Sequence, residues 1–146
     1  MKKIGDLGEL LVGRWLELQN HQLLEQNWRC RWGEIDLIAQ DRATKAIAFV
    51  EVKTRSSRNW DSDGLLAIDL VKQQKLLQTA SLFLSKYPHL AELPCRFDVA
   101  LVSYHSRQNA ISLSQFADIT RLEIGQPLVI DSYELTLKQY LQAAFD

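Results

Sequence analysis

The sequence predicts an α/β domain with a mixed central sheet, its elements running helix, three strands, helix, strand. Three observations carry this prediction. Apolar residues recur at helical spacing over residues 4–20 and again over residues 67–87. Between these helices lie three short runs read as strands, and the second and third follow the two-residue period of strands. After the second helix comes the apolar run Val99-Ala100-Leu101-Val102. Its strand is therefore reached through a helical crossover, the connection that parallel neighbours require.

In the first helix, Ile4, Leu7, Leu11, Trp15 and Leu18 form one stripe to bury. Gly5, Gly8 and Gly13 each weaken helix propensity by about 1 kcal/mol relative to Ala, which implies close backbone contact with the sheet or a ligand. Residues 23–31 read as the first strand, closed by a Trp32-Gly33 turn. In the second strand, Ile35, Leu37 and Ala39 alternate with Glu34, Asp36 and Ile38, placing Asp36 on one face. A polar turn over 40–45 leads to the third strand, where Ala48, Val50 and Val52 alternate with Phe49, Glu51 and Lys53. Glu51 and Lys53 thus share a face, with Val50 and Val52 packed behind them.

A polar loop over 56–64 carries Trp60, a candidate for stacking on a base or for anchoring the loop. The second helix presents Leu70, Leu77, Ala80 and Leu84 as its inner stripe, and Pro88 marks its end. The fourth strand, residues 96–103, has a continuous apolar centre suited to the sheet interior; Arg96 and Asp98 share one of its faces as an ion pair supporting the sheet. The tail reads as strands at 110–113, 128–130 and 133–137, with a closing helix over 138–145. Trp15, Trp28 and Trp32 read as core or turn packing, and His21, His89 and His105 as surface residues.

With 146 residues, 47% of them hydrophobic, the chain suffices for one domain with a sizeable core. A net charge of −1 excludes the globally basic signature of a nucleic-acid coat protein. Locally the balance differs: Arg42, Lys45, Lys53, Arg55 and Arg58 face a single acid, Glu51, within residues 42–58. Cys30 and Cys95 are too few for a disulfide framework and too far apart for a zinc motif, so they read as free thiols in a reducing compartment. Lys2-Lys3 is followed by Ile4-Gly5-Asp6 and not by an apolar run, so no signal peptide is expected. No run approaches the roughly eighteen apolar residues of a membrane span. The expected location is the cytoplasm.

The chemistry concentrates in residues 33–55. Asp36 and Glu51 on adjacent strands can offer two carboxylate oxygens to a divalent cation, and the Val52 carbonyl a third. Mg²⁺ or Mn²⁺ prefers such oxygen ligands, activates water and neutralises phosphate charge. Lys53 can orient the attacking water or stabilise developing charge on phosphate. Glu9, on the polar side of the first helix, is a fourth acidic candidate. Without a metal, neighbouring carboxylates repel and one tends to hold a proton. On this pattern alone two readings stand: a metal site, or a cross-strand salt bridge among Asp36, Glu51 and Lys53.

Further motifs accompany these residues in order. They are Gly5-x-x-Gly8-Glu9, Asn27-x-Arg29, Gly33-Glu34-Ile35-Asp36-Leu37-Ile38, Phe49-Val50-Glu51-Val52-Lys53-x-Arg55 and Arg96-Phe97-Asp98-Val99. The set resembles the YraN-type endonuclease-like family, itself similar to the archaeal Holliday-junction resolvases and part of the restriction-endonuclease-like PD-(D/E)xK superfamily. The resemblance covers about residues 4–102 and implies the restriction-endonuclease-like αβββαβ core. It places Glu9, Asp36, Glu51 and Lys53 on the superfamily's acid, acid, acid and lysine positions. Gly13 stands where the family pattern has alanine. Gln142-Ala143-Ala144-Phe145 resembles the family's closing segment, which makes residues 105–134 an insertion in a single domain spanning 1–146.

The resemblance implies a Mg²⁺- or Mn²⁺-dependent nuclease acting on DNA, branched or structured forms included, with a homodimer supplying two sites by analogy. Arg29, Arg55, Arg58 and Lys72 are the candidate phosphate contacts, with Lys75 one turn beyond Lys72. A nucleic-acid-binding module without turnover and a protein-interaction domain with a structural acidic cluster are the alternatives.

Overall fold

The chain begins with helix α1 (Ile4–Leu18), followed by strands β1 (His21–Cys30), β2 (Gly33–Asp41) and β3 (Ile47–Ser56). A 3₁₀ turn (Ser57–Asn59), helix α2 (Leu70–Lys86) and one helical turn, α3 (Pro88–Ala91), lead to β4 (Cys95–Ser106). A short helix α4 (Leu113–Ala117) and strands β5 (Pro127–Ile130) and β6 (Tyr133–Phe145) complete it. These elements belong to a computed structural model that describes residues 3–59, 68–107 and 113–145. Trp60, the expected start of the second helix at Ala67 and most of the strand expected at 110–113 lie outside the described residues; of that strand, Leu113 instead opens α4.

The fold is α/β, with six strands in one mixed sheet ordered β1-β2-β3-β4-β6-β5. Only β3 and β4 pair in parallel; the other neighbours are antiparallel. The parallel pair is joined by the expected crossover through α2. Helices cover both faces, as a restriction-endonuclease-like core requires. On one face, α1 buries Leu7, Leu11, Val12 and Leu16 against Leu37, Ala39, Ala48, Val50, Ala100 and Val102. On the other, Leu76, Ala80 and Phe83 of α2 meet Ile35, Ile38, Ile47 and Phe49. No helix among the described residues is long and apolar enough to cross a membrane.

Both helical stripes are rotated from their expected positions. In α1 the sheet contact is centred on Leu7, Leu11, Val12 and Leu16, whereas Ile4, Trp15 and Leu18 are only partly buried. Gly8 explains the shift. A Cβ there would collide with Thr54 Oγ1 on β3, so glycine lets α1 sit directly on the sheet. Gly13 faces Leu23 similarly, its Cβ position 3.2 Å from that side chain, but Gly5 meets open space. In α2, Leu76, Thr79, Ala80 and Phe83 face inward, while Leu70 and Leu77 are 75% and 39% exposed. Phe83 sets this rotation, since it packs edge-on against both Trp28 and Phe49.

The expected closing helix over 138–145 is instead the second half of β6. Its backbone pairs with β4 from Ser106↔Tyr133 to Phe97↔Phe145, and the Phe145 ring stacks on Phe97. Asp98 anchors it. The side chain of Asp98 is fully buried and accepts hydrogen bonds from Arg96 Nε (2.9 Å), Tyr140 Oη (2.6 Å) and the Ala143 amide (3.0 Å). Arg96 also donates to His21 Nε2 at 2.9 Å. The opposite ring nitrogen, Nδ1, therefore carries the proton and donates to the Gln19 carbonyl at 2.8 Å. His21 is thus a buried structural histidine, 6% exposed, and not the expected surface residue. Cys30 is half-buried and Cys95 exposed, both as free thiols.

Two outcomes test this packing. Gly8→Ala will lower unfolding stability by roughly 1–3 kcal/mol through overpacking, whereas Gly5→Ala will raise it by up to ~1 kcal/mol; urea denaturation of both variants measures the difference. Asp98→Ala will cost about 3–5 kcal/mol, because it strands the guanidinium of Arg96 and frees the end of β6. Thermal melts and amide exchange at residues 140–145 would report both effects.

Candidate metal centre

The site forms where β2 and β3 part. These strands pair from Gln40↔Ile47 to Leu37↔Val50 and no further. Asp36 is the next residue, and its Oδ2 accepts the Val52 amide at 2.8 Å, a carboxylate standing in for a ladder carbonyl. The parting also breaks the alternation expected across Ile35, Leu37 and Ala39. Leu37 and Ala39 pack toward α1, whereas Ile35 joins Ile38 on the α2 side. β2 has to rotate as it leaves its partner, and Asp36 lies at the rotation. β3 keeps its period: Ala48, Val50 and Val52 face α1, so Glu51 and Lys53 continue the Phe49 face toward α2.

Acidic groups therefore approach Asp36 from both sides of the fork. Glu9 comes from α1, held one residue beyond the close-packed Gly8, and Glu34 comes from the same strand. One carboxylate oxygen from each of Glu9, Glu34 and Asp36 lies within 4.8 Å of the other two. Glu51 stands outside that trio, with its Oε1 3.0 Å from Lys72 Nζ on α2. Glu51 thus takes a cation from the helix, which the sequence reading of this cluster did not include. Asp36, Glu51, Glu34, Lys72 and Lys75 all line one open cleft of about 370 Å³, floored by Leu76 and Thr79.

The electrostatics follow from this crowding. Burial, then the charge of Glu51, then those of Glu9 and Glu34 push the Asp36 carboxyl up to about 8, against the pull of the Val52 amide. Burial, with Asp6 and Glu34, also raises Glu9, opposed by hydrogen bonds from Asn27 and Asp36. Two hydrogen-bonded carboxyls share at least one proton. Lys53 is held below the ordinary lysine value by burial first, then by Arg55 and Lys72, with Glu51 and Asp69 opposing. All the clustered donors are hard carboxylate oxygens whose mutual repulsion a dication would relieve, so the residues fit Mg²⁺ or Mn²⁺.

Two contributors went unnominated from sequence. Glu34 precedes Asp36 by two residues in a strand, so the period of two was the signal that could have found it. Asn27 lies between the pairs Gln26↔Leu37 and Trp28↔Ile35 of the β1–β2 ladder. Its left-handed backbone, φ 51°, suits asparagine, but nothing in a single chain links it to Glu9. Of the expected phosphate contacts, Arg29 is 74% exposed at its side chain and pairs with Glu34 at 2.8 Å. Arg55 is exposed and donates to the Thr54 carbonyl. Arg58 is exposed on the 3₁₀ turn, beyond the end of β3. Lys72 is bound to Glu51.

Asp36 gives a signed pH dependence. An ordinary Asp ionises near 4, whereas folded Asp36 does so near 8. Between those values the folded protein holds a proton that the unfolded chain has released, so metal-free stability falls as pH rises through this window. Asp36→Asn removes the Asp36 share of this dependence while keeping an acceptor for the Val52 amide. The variant will melt above wild type at pH 8 in a metal-free buffer, by ~2–4 °C for each kcal/mol regained, and the gap will close toward pH 5. A gap that widens toward pH 5 would contradict this assignment.

Comparison with known sequences agrees with the motif order. A family profile described as "Uncharacterised protein family UPF0102" matches residues 8–102. A UPF0102 protein of Acaryochloris marina is 46% identical over 155 residues, covering 98% of this chain and 90% of its own length. One from Synechocystis sp. is 48% identical over 150 residues, covering 99% of both chains. One from Synechococcus sp. is 53% identical over 112 residues, covering 77% of this chain and 84% of its own. The first two alignments extend well past residue 102, so those relatives also align with the C-terminal part of this chain. The chain belongs to the UPF0102 family, the YraN family that its motifs resemble.

Proposed function

We propose that this protein is a Mg²⁺- or Mn²⁺-dependent nuclease that hydrolyses phosphodiester bonds of DNA, branched or structured forms included. The observation that carries the reading is the fork at Asp36. A carboxyl pushed up to about 8 sits among Glu9, Glu34 and Glu51, at the open edge of a cleft that also presents two lysines. Carboxylates gathered against their own repulsion suit a site completed by a dication. A purely structural ion-pair cluster would instead balance acid with base, and around Asp36 acids predominate.

In this reading Asp36 and Glu51 hold the cation, with the Val52 carbonyl and Glu9 as further ligands and Glu34 completing the acidic wall. The cation supplies an activated water and neutralises charge on the phosphate. Val52 fixes one Asp36 oxygen through its amide, which leaves the other to act as a ligand. Lys53 follows Glu51 by two residues and shares its face. Its lowered affinity for protons suits an ammonium that passes a proton at Nζ during attack or departure. Arg29, Arg55, Arg58 and Lys72 contact the backbone, as point charges that position phosphates without reading sequence. A homodimer would set two such sites about a two-fold axis for cutting two strands.

Cleavage of single-stranded, duplex and four-way-junction DNA in Mg²⁺ and in Mn²⁺ tests the proposal. Asp36→Ala, Glu51→Ala and Lys53→Ala are each expected to lower the rate by ~10²–10⁴-fold. If wild-type protein cuts none of these substrates faster than the Asp36→Ala protein does, the nuclease reading is wrong.

A further inference from the structure

Lys72 holds the most informative contact outside the acidic trio. Its Nζ lies 3.0 Å from Glu51 Oε1, with the lysine side chain 52% exposed and the glutamate 14% exposed. The backbone at Lys72 is fixed independently, because its amide donates to the N-cap Asp69 Oδ1 at 2.8 Å. The side chain can therefore swing on its four-carbon stem without disturbing the start of α2. Lys75 follows one turn later and lines the same cleft, beside Trp32, Gly33 and Thr79. One of the cleft's two lysine charges is thus committed to a carboxylate that the proposed function needs for metal.

We infer that Lys72 is an internal surrogate cation: it neutralises Glu51 while the site lacks metal, and is displaced toward the incoming phosphate once a dication binds Asp36 and Glu51. The inference rests on the nuclease reading and deepens it by assigning an order to the site. Physically, an ammonium and a dication compete for one carboxylate, and the weaker, half-solvated partner yields. Released Lys72 then stands with Lys75 in the cleft as a flexible phosphate-binding charge. Metal loading thereby strengthens the hold on nucleic acid by more than its own charge, and metal-free protein binds DNA with one lysine fewer. Lys72 acts here as a positioning residue, through Glu51 and the phosphate and not on the reacting atoms.

The two halves of this role have opposite signs, which separates it from a structural one. In Lys72→Gln, Mn²⁺ affinity measured by calorimetry without DNA should rise ~2–5-fold, the equivalent of losing a half-exposed competing ion pair. The affinity of Ca²⁺-loaded protein for a four-way junction should fall, and the salt slope should drop by about one phosphate contact. Lys72→Arg should restore DNA affinity while keeping Mn²⁺ binding at the wild-type level. Unchanged or weaker Mn²⁺ binding by Lys72→Gln overturns the inference, as does unchanged affinity for the junction. Wild-type protein that takes up no Mn²⁺ at an Asp36-dependent site would instead sink the nuclease reading, and this inference with it.

Discussion

The bond from the Val52 amide to Asp36 Oδ2 is the constraint on which the rest of the site depends. Antiparallel pairing between β2 and β3 ends at Leu37↔Val50, and two residues later on β3 a backbone donor needs an acceptor. Asp36 supplies it with a side chain. The sheet thereby opens a gap without orphaning a half-buried amide, and the group that satisfies the amide is itself an acid. Glu9 approaches this gap from α1 and Glu51 faces α2. A single carboxylate thus joins chemistry arriving from both layers.

Two anchors away from the fork keep it in place. Gly8 brings α1 onto Thr54 so closely that no side chain fits between, and this fixes the depth at which Glu9 enters. At the opposite end of the β4–β6 pair, Asp98 gathers Arg96, Tyr140 and the Ala143 amide into a buried network that reaches His21. Burial and the neighbouring Asp98 charge raise the Tyr140 hydroxyl well above the ordinary tyrosine value, so it remains a hydrogen-bond donor. Both regions contain acidic residues, but they solve opposite problems. Asp98 is fully satisfied by donors and has no vacancy for a ligand. Among the described residues Asp36 has one backbone donor, Val52, and an excess of acids around it, an arrangement that costs stability unless a cation joins it.

The elements were legible because their signals are local. Apolar spacing located both helices, period two located β2 and β3, and a continuous apolar run located β4. The ordered motifs identified the family and singled out Glu9, Asp36 and Glu51, all of which the structure brings to one fork. Where the sequence reading failed, a long-range contact had overruled a local signal. Leu70 and Leu77 have the spacing of a buried stripe, yet the Phe83 contacts with Trp28 and Phe49 turn α2 away from them. Residues 138–145 have helical propensity, yet pairing with β4 and the Asp98 anchor make them strand. His21 looked like a surface residue because nothing nearby in sequence reveals its partner Arg96.

What the sequence determined by itself was the order of elements, the face shared by Glu51 and Lys53, and membership of the UPF0102 family. Each of these is encoded within a few residues of chain or in the order of short motifs. Tertiary structure decided which groups meet. It admitted Glu34 and Asn27 to the acidic cluster, rotated β2 at Asp36, and brought Lys72 of α2 to Glu51. Those outcomes depend on how far a helix settles onto a sheet and where two strands stop pairing. They are set by packing between residues distant in sequence, which no local period records.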